Sequence, residues 1–72
     1  MIKVKVYEMM ARRGFKTRLA LAQASGVHQN NLGKIVNDDI LALRLDTLNK
    51  LCRTLDCQPG DLLEYMPDEE ED

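Results

Sequence analysis

Ile2, Val4 and Val6 alternate with Lys3 and Lys5, a period of two that predicts a short strand with one buried face. From Val6 the period lengthens. Val6, Met9 and Met10 stand at helical spacing, and Arg12-Arg13-Gly14 supplies cations and a glycine stop, so a first helix ends near Arg13. Thr17 is a good N-cap, and Arg18 to Ser25 is rich in Leu, Ala and Gln, so a second helix runs to Gly26. A third helix follows a turn of about three residues and covers His28 to Asn37, with Leu32 and Ile35 inward. Asp38 to Leu43 is the longest irregular stretch. Leu48, Leu51, Cys52 and Leu55 follow the i, i+3, i+4, i+7 rule and mark a strongly amphipathic helix. Asp56 to Gly60 breaks it, and Pro59 opens a short fifth helix that carries Leu62 and Leu63 inward. Leu63 to Met66 suits a closing strand paired with Ile2 to Val6, in the same chain or in a second copy.

Within this pattern Ala22, Gly26, Val27, Leu32 and Ile35 form a set. Two helices that cross steeply through a short turn need a small residue where their axes approach, which Ala22 supplies. They also need a residue in the turn that accepts positive φ, which Gly26 supplies. With Val27, Leu32 and Ile35 turned to the core, His28, Gln29, Asn30, Asn31, Gly33, Lys34 and Asn37 are left outside or at the edges of the third helix. Asn and Gln amides present a donor and an acceptor together, which matches adenine N6 and N7 in the major groove. Lys34 suits a phosphate or a guanine edge, and Gly33 lets the backbone approach a base or phosphate. Thr17 and Arg18 place backbone N–H groups and a cation at the start of the second helix, where phosphate binds, and Lys16, Lys34 and Asn37 extend that set. No acidic residue falls between Gly14 and Asn37. An ordinary solvated helix face carries more Glu and Lys.

Charge supports the same reading once it is divided. The formal net charge is −2, yet Asp68 to Asp72 is entirely acidic, and residues 1–67 hold ten basic against seven acidic groups. A basic body with an acidic tail fits a polyanion binder. The 72 residues make one domain at 1–67, and 68–72 is expected to be a disordered acidic tail. No apolar run approaches the roughly 20 residues of a membrane span, and the first residues lack the features of a secretory signal, so a cytoplasmic location is expected. Cys52, Cys57 and His28 match no zinc-ligand spacing, and the two cysteines are expected to be small buried hydrophobes. There is no paired base and nucleophile and no glycine-rich phosphate loop, so an enzyme, a cofactor, a metal and a small-molecule ligand are not expected.

The segment from Lys16 to Val27, together with Leu45 to Cys52, Leu55 and Cys57 to Tyr65, resembles the Cro/Xre-type, lambda-repressor-like family of small single-domain proteins. The resemblance covers roughly residues 2–67. It implies an all-α, five-helix helix-turn-helix domain, with room for short terminal β-strands. It also implies a transcriptional regulator, expected to be a repressor, that binds double-stranded DNA as a homodimer. In that family the positions of Arg18, His28, Gln29, Asn30, Gly33, Lys34 and Asn37 face DNA. Glutamine is usual where Arg18 stands, serine or arginine at His28 and serine at Gly33. The acidic and apolar loop from Asp38 to Leu43 is expected to repel phosphate or to pack against protein. A protein-interaction module on the same fold, such as an antitoxin or accessory factor, is the alternative.

Overall fold

The computed structural model describes residues 1–37 and 42–67. In chain order they form β1 (Ile2–Val4), α1 (Val6–Arg12), α2 (Arg18–Ser25), α3 (Gln29–Val36), α4 (Leu45–Leu55), α5 (Pro59–Leu62) and β2 (Leu63–Tyr65). The acidic residues 68–72 and residues 38–41 of the long loop lie outside the described residues, and with them Ile40 and Leu41 of the apolar loop.

Each helix contributes one apolar stripe to a shared core. Val6, Met9 and Met10 come from α1, Leu21 from α2, Leu32 and Ile35 from α3, Leu51 and Leu55 from α4, and Leu62 from α5, with Val27 from the α2–α3 turn. Phe15, Ala22, Leu48, Cys52 and Cys57 pack around this cluster. No buried side-chain polar atom among the described residues lacks a hydrogen-bond partner.

The two strands pair antiparallel within one chain, Ile2 opposite Tyr65 and Val4 opposite Leu63. The pairing is extended at both ends, where the Lys5 N–H donates to the Leu62 carbonyl at 2.7 Å and the Met66 N–H to the Met1 carbonyl at 2.7 Å. Of the pairs open to the closing strand, the structure takes the partner in the same chain. Leu62 is fully buried and Leu63, at which α5 turns into β2, is half-buried, so neither lies free for a second copy as their inward-facing positions alone left open. Ile2 and Tyr65 overhang the core at 53% and 63% exposure.

The C-terminal end of α4 is fixed by one local and one distant device. Its C-cap, Asp56, takes the left-handed conformation at φ 50°, and the Cys57 N–H donates to the Cys52 carbonyl at 3.0 Å, which winds the chain off the helix. The Arg13 guanidinium, beyond α1, donates through Nε to the Leu55 carbonyl at 2.8 Å and through Nη2 to the Asp56 carbonyl at 3.1 Å. These are terminal acceptors that α4 cannot satisfy itself, and a cation there also complements the helix dipole. Arg13 thus ties α1 to the end of α4.

Candidate nucleic-acid interface

The α2–turn–α3 unit is set by four local bonds. Thr17, in extended conformation, accepts the Ala20 N–H on its Oγ1 at 3.1 Å and so starts α2. Gly26 ends it at φ 82°, its N–H donating to the Ala22 carbonyl at 2.9 Å. The buried Ser25 hydroxyl then accepts the Val27 N–H at 3.1 Å, which satisfies the amide of a buried turn residue. His28 is the N-cap of α3, its Nδ1 accepting the Asn30 N–H at 3.1 Å. The helix expected from His28 to Asn37 is therefore Gln29–Val36 with those two residues as its caps.

A helix turns about 100° per residue, so positions 29, 30, 33, 34 and 37 share a face and 32 and 35 oppose it. The structure follows this geometry. Leu32 and Ile35 are buried, whereas Gln29, Asn30, Lys34 and Asn37 are exposed. Arg18, Gln29, Asn30, Gly33, Lys34 and Asn37 line one shallow open recess. Two cations, two side-chain amides from adjacent residues and a third amide two turns away converge there. No carboxylate is among the lining residues.

The other expected contacts are placed differently. Asn31 is exposed but lies on the far side of α3, lining a hollow with Ala42, Leu43, Arg44 and Thr47. Lys16 lines a cleft with Tyr7, Met10 and Phe15 on the α1 side. Thr17 and His28 are exposed, and each uses its side-chain acceptor as a cap. Gly33 is buried, not an open gap for an approaching backbone. A Cβ built there would lie 2.7 Å from Arg18 Nη1, so what covers this glycine is the Arg18 side chain. Sequence reasoning did not foresee the roles of Ser25 and Arg13. The Ser25-to-Val27 bond carries a recognisable signal, a serine just before the turn glycine, but the partners of Arg13 lie more than forty residues away.

Elsewhere Cys52 and Cys57 are free and half-buried. Burial pushes the Cys57 thiol up from its ordinary value, helped by the neighbouring Cys52, against a smaller opposing pull from Arg13. No three His, Cys, Asp or Glu side chains among the described residues gather into a metal-binding group. No described helix is long and apolar enough to cross a membrane.

Two helices joined through a left-handed glycine, the second showing an amide-rich and cationic face, define a helix-turn-helix domain. Residues 5–68 match the family model of the Cro/C1-type HTH DNA-binding domain. The chain is also 38% identical over 69 residues to YozG of Bacillus subtilis (strain 168), described as an uncharacterized HTH-type transcriptional regulator, covering 96% of this chain and 81% of that protein. The chain belongs to the Cro/C1-type helix-turn-helix family, the class of DNA-binding regulators that the sequence resembles.

Proposed function

We propose that this chain is a sequence-specific transcriptional regulator that lays α3 in the major groove, and that it acts as a repressor by occupying promoter DNA in the cytoplasm. The observation that carries the reading is the exposure of Gln29, Asn30, Lys34 and Asn37 on one face while Leu32 and Ile35 anchor the opposite face. Gln29 and Asn30 supply base contacts, and Lys34 and Asn37 flank them. Thr17 and Arg18 open α2, whose first-turn amides have no acceptor within the helix and suit a phosphate. His28, which caps α3, borders this face and suits the DNA backbone, whereas Lys16 and Asn31 line other hollows and would reach only phosphates beyond it. A two-fold operator requires a dimer, and the exposed Ile2 and Tyr65 at the strand pair are the apolar surface proposed for it.

Binding sites selected from random duplexes test the function. The expected result is a defined site, an affinity that falls by about 0.9 log units per tenfold rise in salt for each phosphate neutralised, and a relaxed base preference for Q29A/N30A. Wild type and Q29A/N30A ranking the same site variants alike would remove α3 as the reading helix. Sedimentation velocity at micromolar concentration tests the dimer, which a purely monomeric boundary would refute.

A further inference from the structure

We propose that Arg18 reads a guanine directly, its guanidinium seated against Gly33 so that it stands over the middle of α3. The inference rests on the DNA-reading role proposed above for α3 and changes the part played by Arg18, whose position at the start of α2 by itself suggests a phosphate contact.

Arg18 belongs to α2 in sequence but not where its charge ends up. Nη1 lies 2.7 Å from the place a Cβ on Gly33 would occupy, and Cζ lies 3.8 Å from it. Real Cβ atoms do not approach other atoms that closely, so the absence of a side chain at Gly33 is what allows this rotamer. Gly33 lies on the same face as Gln29, Asn30 and Lys34, and Arg18 lines the recess with them. The guanidinium thus lies at mid-helix, level with the residues that would meet base edges. Among the described residues Arg18 makes no salt bridge, unlike Lys3, Lys5 and Arg44, and none of its side-chain N–H groups is used in a hydrogen bond. No acidic residue between Gly14 and Asn37 competes for it. An unspent planar fork of donors matches guanine O6 and N7 in a bidentate pair, whereas a phosphate accepts any cation of sufficient reach. Gly33 also gives up helix propensity relative to alanine, a cost offset here by the place it leaves for the arginine.

Once the wild-type site is known, binding to every single base-pair variant is measured by fluorescence anisotropy for wild type, R18K, R18Q and G33A, at several salt concentrations. Wild type is expected to discriminate against loss of one G·C pair by roughly ten- to a hundredfold. In R18K and R18Q that preference collapses, the ranking at other positions holds, and the salt slope stays within a few tenths of wild type. G33A, which adds a methyl group where Nη1 sits and favours helix, weakens the same pair with circular dichroism and melting unchanged or improved. A uniform loss across all variants in R18Q, with the slope reduced by about 0.9, would make Arg18 a phosphate contact and overturn the proposal. A wild-type site whose G·C preferences all survive R18K would overturn it too. Wild type that binds every duplex equally would instead overturn the sequence-specific reading on which it stands.

Discussion

Arg13 offers a test that separates holding the fold from holding DNA. It belongs to the basic first quarter of the chain, and as a surface cation it is an obvious phosphate contact. The structure turns it instead onto the last carbonyls of α4, with Nε 2.8 Å from the Leu55 oxygen and Nη2 3.1 Å from the Asp56 oxygen. A hydrogen bond from a charged donor contributes about 1.5–3 kcal/mol. The Nε bond is partly buried and keeps most of that, whereas the Nη2 bond is exposed and contributes little. Charge at the C-terminal end of a helix contributes a further ~0.3–1 kcal/mol. Arg13→Ala is therefore expected to lose about 2 kcal/mol. In a domain of this length each kcal/mol moves the melting temperature by about 4–8 °C, so thermal unfolding followed by circular dichroism should show a fall of roughly 8–16 °C. Arg13→Lys keeps the charge without the forked geometry and should fall between the two. At a temperature where both proteins are folded, affinity for DNA and its salt slope should match wild type. A melting temperature within about 2 °C of wild type, or a salt slope lowered by about 0.9, would refute the clip.

Ser25→Ala leaves the buried Val27 amide without its acceptor and should cost about 1–2 kcal/mol, read as a lower urea midpoint with an unchanged m value. Asp56→Gly relieves a left-handed residue at φ 50° and removes a negative charge from a helix C-terminus, so a gain of about 1 kcal/mol is expected by the same measurement. In Cys52→Ser the remaining Cys57 thiol, still raised by burial, should form thiolate at higher pH than in the unfolded chain. Its alkylation profile by iodoacetamide should therefore shift to higher pH in the folded state. Coinciding folded and unfolded profiles would count against that environment.

The α2–turn–α3 unit was readable because its determinants are neighbours in the chain. Thr17 caps the amide three residues on, Gly26 closes on a carbonyl four residues back, and Leu32 and Ile35 mark the inner face by helical period alone. The face of α3 followed from the same period, except at two positions. Gly33 lies inside the exposed sector yet is buried, Asn31 lies beyond its edge, and each outcome is decided by what packs beside it. For Gly33 that is the Arg18 side chain from another helix, and for Asn31 the segment leading into α4. Lys16 went elsewhere because the chain before Thr17 lies against α1 and not along α3. The strand partner stayed open on the same ground. Alternation shows that Ile2 and Val4 want a sheet, but no local signal says whose strand completes it.

The pairing of Ile2 with Tyr65 also orders events during synthesis. Because β1 precedes β2 by the whole run of described helices, it has no partner until residue 65 has followed it off the ribosome. The wait is shared by α3, since an eight-residue helix is not stable alone and the core that anchors Leu32 and Ile35 also needs Leu51, Leu55 and Leu62. A translational pause after α4 would therefore hold a nascent chain with neither its strand pair nor a finished reading face.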